Sequence, residues 1–542
     1  MHFSGIRQTS VGRVLALSLT PILNWAAFGL ALAVAYVGFA TGRISLDLLY
    51  NSDALYLPVL YRDLASGQGM SGWALTPAPY FFPDMPLFFG LNFMLNNFQL
   101  AVIAYGLVQV LLFVAGLTAL SRLMAGRNPD IQCLVPLAGA LFFLYFYAAP
   151  YPFFSLVFAN AFHFSVMVVG IGCLALIGVT VARPRIDRVV VVCVLAVLLC
   201  STLMVASDLL YVIQVLAPMM LSLWLLALCK QIPYRRALFY SLLGLSLPVG
   251  LWAGTILSRV LTGTDTRFAL WPFSLQIVEV ALSELLDWCR SLWFGHPLLP
   301  SAAICFALVG GRMLVLLIRG RKQPSRSAVR LLVVSFLAFQ IVASALTILY
   351  TGVVMERYLL PLLVVPTFFG WPLLAAAARR LPRFLNSPWV SRITASAVIL
   401  SCLVILAFNS VPQQVEHLAD YYPDLVRCMD VQTEQRHLKS GLADYWQAKY
   451  ISMLSHHGLR VVQLNTALRP WHWINNLHWY AQPFDFVMID HAQLPEFRLD
   501  RRLVIERFGP PDDSFSCGSS EILVYHSVQF REQFLTPTLG HE

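Results

Sequence analysis

Between the first two long apolar stretches of the chain stands the segment Asn51-Ser52-Asp53-Ala54-Leu55-Tyr56. It places an acidic side chain just beyond an apolar run that extends from Val14 to about Ala40. Ser52 or Asp53 is placed to cap a short helix, where unpaired amides and the helix dipole stabilise a carboxylate as an anion. A positioned anion can accept a proton from a hydroxyl group or hold a cation. Two interpretations of Asp53 therefore stay open: a functional carboxylate and a solvated helix cap.

The composition predicts a polytopic membrane protein. Of the 542 residues, 58% are hydrophobic and 12% are charged, which is far from the composition of a soluble globular chain. The formal net charge is +9, but the basic residues form short clusters between apolar runs, as in loops that orient membrane spans. No nucleic-acid partner is implied. The first apolar run exceeds the roughly 7–15 residues of a signal-peptide core and is expected to stay as an anchor.

The apolar runs predict about eleven transmembrane helices, because each is long enough to cross about 30 Å of hydrocarbon. They lie near residues 14–40, 87–121, 131–149, 163–182, 188–207, 209–229, 236–257, 298–318, 329–350, 357–378 and 389–408. Arginine and lysine concentrate in every second loop, which predicts a cytoplasmic N-terminus and an external C-terminus. The outer loops at 41–86 and 258–297 then belong to a transmembrane module of residues 1–408.

The first outer loop carries a second acidic residue. Four prolines between Pro77 and Pro86 force an extended path that presents Asp84 at the mouth of the second predicted span. Asp84 is therefore a candidate to join Asp53 in one catalytic site. The alternative is a polar break that keeps the neighbouring aromatic residues from continuing the span.

The other large outer loop contains an amphipathic segment, Leu275 to Trp293. Its polar residues recur at steps of three and four, which predicts a helix lying in the membrane interface. Such a helix either seals the membrane surface or covers a lateral groove through which a lipid tail enters.

Polar residues in or beside apolar runs are candidates for function, because they are costly at membrane depth. They are Asn160, His163, Asp208, Glu356 and Arg357. The Arg357 guanidinium is suited to bind a phosphate group, together with Glu356. Other interpretations stay open: Glu356 pairs with Arg357, Arg357 reaches the lipid headgroups, His163 is a hydrogen-bonded core residue, and Asp208 ends its span.

After Phe408 the composition becomes that of a soluble domain, which predicts an external α/β domain of residues 409–542. Leu442 to His457 predicts a helix. Short apolar runs predict strands at Leu459–Leu464, Phe484–Asp490, Leu503–Phe508 and Glu521–Tyr525. A dense aromatic segment, Trp471 to Tyr480, forms the domain core, docks the domain on the membrane plane, or stacks on sugars.

The cysteines divide into two groups. Eight lie in or beside apolar runs without metal-ligand spacing, as small core residues do. Cys428 and Cys517 are the two in the polar C-terminal part, and an external location permits a disulfide between them. No Asn-x-Ser/Thr sequon occurs, which favours a bacterial inner membrane with a periplasmic C-terminal domain.

This arrangement resembles the GT-C superfamily of membrane glycosyltransferases, in particular bacterial relatives of protein mannosyltransferases and of the aminoarabinose transferase that modifies lipid A. The resemblance is carried by the acid after the first span, the in-plane helix, Glu356-Arg357-Tyr358 at a late outer span, and the external α/β domain. It implies that Asp53 is a catalytic base or cation holder and that Arg357 binds the donor phosphate. Ala54 stands where a second acid often follows, so a divalent metal cofactor stays an open question.

The resemblance implies an enzyme that transfers a sugar from a polyprenyl-phosphate donor to an extracytoplasmic lipid, glycan or protein. Its partners would be membrane lipids, the lipid-linked sugar and that acceptor. The alternative function is a membrane transporter or flippase for a lipid-linked or polar substrate. A transporter often shows inverted repeats or paired broken helices, which this sequence does not display. A third possibility is an anchored assembly protein whose outer domain binds partners.

Overall fold

The computed structural model describes residues 10–125, 156–262, 274–295, 325–365, 388–409 and 416–528, together with short pieces between 303 and 315. Helices make up most of the chain, and a small mixed sheet lies near the C-terminus. The helices are α1 (Ser10–Ala40), α2 (Asp47–Tyr50), α3 (Tyr56–Ala65), α4 (Asp84–Leu95), α5 (Phe98–Ala125), α6 (Phe164–Ala182), α7 (Arg188–Ser207), α8 (Ala217–Leu228), α9 (Tyr234–Tyr240), α10 (Ser246–Thr262), α11 (Leu275–Gly295), α12 (Ser325–Thr351), α13 (Glu356–Val364), α14 (Pro388–Phe408), α15 (Asp424–Arg436), α16 (Tyr445–Leu454) and α17 (Arg501–Phe508).

Six stretches of the described helices are long and apolar enough to cross a membrane. They are Leu19–Ala40, Phe98–Met124, Phe164–Ala182, Arg188–Ser207, Tyr234–Thr262 and Ser327–Thr351. The prediction of a multi-pass helical membrane protein is confirmed. The predicted run at 131–149 lies outside the described residues, and those at 298–318 and 357–378 are described only in part. The total of about eleven spans and their orientation stay predictions.

The second predicted span, at 87–121, is wrong as a single helix. The structure divides it into α4 and α5, because Asn96 adopts a left-handed conformation with φ of 49° and ends α4. The side chain of Asn97 then accepts a hydrogen bond from the Leu100 amide at 3.0 Å, which starts α5. Two consecutive asparagines thus break an apolar run that hydropathy alone joins.

Small residues let neighbouring helices approach closely. A Cβ atom at Gly254 of α10 would lie 2.8 Å from the Ala206 carbonyl oxygen of α7, and one at Gly106 of α5 would lie 2.6 Å from the Phe158 carbonyl oxygen. Such close approach replaces the hydrophobic driving force that lipid does not supply. Around Phe158 the rings of Tyr36 and Phe39 pack at centroid distances of 5.5 Å. The helices are therefore held together by direct packing beside the first outer loop.

The strands of the described residues are β1 (Trp73–Ala74), β2 (Ser440–Ala443), β3 (Arg460–Gln463), β4 (Asn475–Asn476), β5 (Phe484–Asp490), β6 (Asp513–Cys517) and β7 (Ser520–Val528). Five of them form the sheet of the C-terminal part, in the order β3-β2-β5-β7-β6. β2 pairs in parallel with β3 and β5, whereas β7 pairs antiparallel with β5 and β6. A disulfide joins Cys428 of α15 to Cys517 of β6, with Cα atoms 5.8 Å apart.

The predicted elements of this domain are confirmed in part. The strand at Phe484–Asp490 has the predicted bounds. Leu442 belongs to β2 instead of the predicted helix, because Asp444 caps α16 by accepting from the Trp446 amide at 2.8 Å. The predicted strand at Leu503–Phe508 is wrong, since Asp500 caps a helix there in the same way.

The aromatic segment Trp471 to Tyr480 docks the domain on the first outer loop. Within it, β4 pairs antiparallel with β1 of that loop. The Trp479 indole donates to Asp63 at 3.0 Å, and Asn476 donates to the same carboxylate oxygen at 3.4 Å. Docking was one of the predicted roles, but the contacted surface is the outer loop of the same chain. These contacts position the domain above residues 51–56.

Candidate active site

Asp53 lies in a turn that precedes α3, and its side chain does not cap that helix. The position before α3 is Leu55, which makes no side-chain cap, so the capping interpretation of Ser52 and Asp53 is wrong. The turn is held by Asn51, whose side-chain oxygen accepts from the Ala54 amide at 2.9 Å. Ala54 and Ser52 are fully buried. The Asp53 carboxylate is thereby left free to face other parts of the chain.

Two side chains from distant parts of the chain contact the Asp53 carboxylate. Arg357, near the start of α13, lies with Nη1 at 3.5 Å from one oxygen, and the two side chains are 25% and 21% exposed. The Tyr445 hydroxyl, from α16, donates to the other oxygen. An ion pair at this depth keeps partial access to solvent and therefore to a ligand. The predicted meeting of Asp53 and Arg357 is present in the structure.

Tyr445 is fixed by its surroundings. The Ser52 hydroxyl donates to the Tyr445 and Trp446 carbonyl oxygens, so the start of α16 is bound to the residue next to Asp53. The Lys449 ammonium lies 4.2 Å from the centre of the Tyr445 ring. Burial, and then the negative charge of Asp53, raise the pKa of Tyr445 well above its usual value. Tyr445 therefore stays protonated and acts as a hydrogen-bond donor to Asp53.

An inner cavity of about 220 Å³ adjoins the Asp53–Arg357 pair. It is the space bounded by the two charged residues, the first outer loop at Pro77–Tyr80, and the helix ends around Asp208 and Thr351. Much of its remaining surface is apolar, from Leu209, Leu210 and Ile213. Such a space suits a polar group attached to an apolar chain.

A chain of buried hydrogen bonds forms one wall of this inner cavity. His163 Nδ1 lies 2.5 Å from an Asp208 carboxylate oxygen, and its Nε2 lies 3.1 Å from the Tyr80 hydroxyl. If Nδ1 donates to Asp208, then Nε2 accepts the Tyr80 proton, which is the tautomer that satisfies both bonds. His163 and Asp208, predicted separately, are thus direct partners, and both line the cavity that Asp53 and Arg357 also line.

An outer cavity of about 470 Å³ lies on the other side of the same ion pair, toward the C-terminal domain. Asp53, Arg357 and Trp473 line both cavities. The outer cavity is otherwise rich in aromatic rings, and Trp471 and Phe497 lie nearly parallel with centroids 6.3 Å apart. The ion pair therefore stands between a largely apolar inner space and an aromatic outer space.

The remaining predicted residues lie away from these two cavities. Asp84 is 1% exposed, accepts from the Tyr105 hydroxyl at 2.7 Å and from the Ala161 amide at 3.3 Å, and lines neither cavity. Asn160 is fully buried, and neither atom of its amide has a hydrogen-bond partner in the described part of the chain. The Glu356 side chain lies outside what the structure describes. The structure thus does not bring Asp84 to Asp53.

Among the residues that the structure describes, the donor set around Asp53 does not fit a divalent metal. Among the described residues, no three His, Cys, Asp or Glu side chains gather closely enough to hold a metal ion. Asp53 supplies one carboxylate, and the positive partner of that carboxylate is the Arg357 guanidinium. Hard divalent cations need several oxygen ligands, which the described residues do not provide here.

Sequence reasoning did not find two of the residues in this site. Tyr445 lies almost 400 positions from Asp53 and in a different domain, and its own neighbourhood carries no motif. Tyr80 is one of the aromatic residues before Asp84, and with a φ of 59° its hydroxyl lies 3.1 Å from His163 Nε2. A positive φ is not visible in the sequence of a tyrosine, so neither residue offered a signal.

The comparisons with known proteins are sparse. Neither a family model nor a curated protein matches the sequence. A crystal structure of the Archaeoglobus fulgidus oligosaccharyltransferase in complex with zinc and sulfate aligns over 85% of this chain and 67% of that one, with 10% identity and a TM-score of 0.42. A TM-score this low decides neither the fold nor the activity of this chain.

Proposed function

We propose that this protein is a glycosyltransferase of the GT-C type that moves a sugar from a polyprenyl-phosphate donor to an extracytoplasmic acceptor. The proposal rests on one observation: the Asp53–Arg357 pair stands where the inner and outer cavities meet. A two-substrate reaction at a membrane surface needs such a boundary, with the lipid-linked group on one side and the acceptor on the other. The location that goes with it is a bacterial inner membrane, with the C-terminal domain in the periplasm.

The opposite charges of Asp53 and Arg357 suit a sugar transfer that inverts the configuration of the anomeric carbon. The acceptor hydroxyl oxygen forms a bond to that carbon and gives its proton to the Asp53 carboxylate. The bond from the anomeric carbon to the phosphate oxygen breaks, and the electron pair leaves with the phosphate. The Arg357 guanidinium stabilises the charge that develops on this leaving group. Asp53 thus accepts the proton, and Arg357 stabilises the phosphate that leaves with the electron pair.

Arg357 has hydrogen-bonding capacity left for a phosphate. Nη1 faces Asp53, and Nη2 lies 3.2 Å from the Met355 sulfur. Its buried Nε has no hydrogen-bond partner in the described part of the chain. Buried donors are rarely left unsatisfied, so a partner that the chain does not supply is expected at this atom. A phosphate in the inner cavity would complete the donor set of Arg357.

A binding experiment tests this proposal with a defined probe. The full chain is purified in detergent and titrated with undecaprenyl phosphate, and binding is followed by native mass spectrometry. The variant Arg357→Gln loses a charge-assisted contact worth roughly 1.5–3 kcal/mol. It is therefore expected to bind the probe about 10–100-fold more weakly than the parent chain does. Arg427→Gln, which alters a 60% exposed arginine of α15, is the matched control and should bind as the parent does.

The outcomes separate the enzyme from the alternatives. A lipid-linked sugar that copurifies with the parent chain, and that is lost with Arg357→Gln, supports the proposal. Equal binding of undecaprenyl phosphate by the parent and by Arg357→Gln contradicts it. A transporter would release its copurified lipid with the sugar still attached after reconstitution, whereas a transferase would release the carrier lipid without it.

A further inference from the structure

A third cavity, of about 520 Å³, lies between α3 and the β2–β3 edge of the sheet. We call it the polar cavity. It shares no lining residue with the inner or the outer cavity. Its volume falls within the roughly 300–1,000 Å³ of sites that hold small molecules. Residues from the first outer loop and from the C-terminal domain contribute to its walls, so it exists only when the two are docked.

Positive charge predominates in the lining of the polar cavity. Arg62 comes from α3, Lys449 from α16, and Arg460 from β3. The carboxylate among the lining residues is Asp63. One Asp63 oxygen accepts from three neutral donors, Trp73 at 3.1 Å as well as the Asn476 and Trp479 groups described above. The docking interface therefore already occupies that oxygen.

In the described part of the chain, no carboxylate forms an ion pair with Arg62, Lys449 or Arg460. Burial lowers the pKa of Arg62, and the charge of Arg460 lowers it further, against an opposing effect of Asp63. Repulsion between positive charges in a partly buried space destabilises the folded protein unless an anion binds between them.

Lys449 is the most deeply placed of the three. It is 2% exposed, and its ammonium donates to the Gln463 side-chain oxygen at 2.6 Å. An ammonium group has three donors, and this hydrogen bond uses one of them. Burial of a lysine is costly unless its charge is compensated, so the position indicates a ligand.

We propose that the polar cavity binds a compact oxyanion, the carboxylate or phosphate group of a ligand about the size of a monosaccharide. Arg62 and Arg460 hold the anionic group, and Lys449 contacts it from the cavity floor. Trp479 and Tyr480 add aromatic surface for the rest of the ligand. The polar cavity is separate from the space beside Asp53, since the two share no lining residue.

Thermal unfolding of the purified full chain tests this site. Sodium glucuronate and inorganic phosphate are the probes, while glucose and sodium chloride at matched ionic strength are the controls. The two anions are expected to raise the unfolding midpoint beyond the effect of sodium chloride, and glucose is expected to leave it unchanged. A shift with glucuronate alone assigns the site to carboxylates, and a shift with phosphate alone assigns it to phosphate groups.

Arginine variants show which residues produce the shift of the unfolding midpoint. Arg460→Gln, at an exposed position, is expected to remove at least half of the shift, and Arg62→Gln to do the same. Because Arg62 also donates to the Ser452 carbonyl at 2.7 Å, Arg460→Gln is the decisive variant if Arg62→Gln does not fold. Arg427→Gln, which alters an exposed arginine of the same domain, is the matched control and should keep the full shift. A midpoint shift equal to that of sodium chloride, or one that persists in Arg460→Gln, overturns the proposal.

Discussion

The first outer loop contains two acidic residues whose surroundings differ in one decisive respect. Asp53 is partly exposed, faces two cavities and has the cationic partner Arg357. Asp84 is fully enclosed, and its contacts are a tyrosine hydroxyl and a backbone amide. A carboxylate becomes a candidate for chemistry when a substrate can reach it and a charge opposes it. By that criterion Asp53 is the stronger candidate for the proposed site, while Asp84 is buried in the packing beside it.

The largest expected difference between the two acids lies in turnover. Asp53→Asn removes the proton acceptor and is expected to lower sugar transfer by about 10²–10⁴-fold. Asp84→Asn keeps an oxygen that can accept from Tyr105 and is expected to change transfer by less than tenfold. The measurement is loss of the copurified lipid-linked sugar in reconstituted vesicles supplied with envelope extract. Full activity of Asp53→Asn would remove Asp53 from the mechanism, and equal losses in both variants would erase the distinction between them.

A smaller effect is expected from Tyr445, which the C-terminal domain contributes to Asp53. Tyr445→Phe removes one hydrogen bond to a charged group, worth roughly 1.5–3 kcal/mol, so transfer should fall by about 10–100-fold. Tyr450→Phe makes the same change in the same helix at a tyrosine that donates to Asp47 and lines neither cavity, so it is the matched control and should transfer at the parent rate. The same vesicle assay measures both. If Tyr445→Phe transfers at the parent rate, the domain is not part of the site.

The contrast between Asp53 and Asp84 also shows which features of the fold and of the candidate site can be predicted from the sequence. Hydropathy located most of the long apolar helices that the structure describes, although it joined α4 and α5 into one span, since a run of apolar residues is a local property. It also pointed to Asp53 and Arg357, because charges at the ends of such spans are conspicuous. It did not distinguish Asp53 from Asp84, because burial and access to a cavity depend on packing between distant segments. Tyr445 was not predicted for the same reason, because it contacts Asp53 only through the docking of the C-terminal domain on the first outer loop.

The next expected effect is on stability and concerns Asp84. Asp84→Ala leaves the Tyr105 hydroxyl and the Ala161 amide without the carboxylate oxygen that both contact, which should cost about 1–3 kcal/mol. Asp53→Ala, at a partly exposed position, should cost less. Thermal unfolding of the two variants in the same detergent compares them. A midpoint lower for Asp53→Ala than for Asp84→Ala would reverse the assignment of site and scaffold.

The smallest expected effect is a pH dependence of stability that comes from Lys449, a buried lysine on which the charge of Asp53 acts. Burial lowers the pKa of Lys449 to about 7, against the opposing charge of Asp53. In the unfolded chain a lysine keeps its proton up to about pH 10.4, so between pH 7 and 10 the unfolded state binds more protons and stability rises with pH. Lys449→Met has no such proton, so the unfolding midpoint of the parent should rise relative to this variant from pH 7 to pH 9. Parallel midpoints over this range would mean that Lys449 stays charged in the fold. Its ammonium would then have a compensating anion, just as the Asp53 carboxylate has a compensating cation in Arg357, whereas no such cation contacts Asp84 among the described residues.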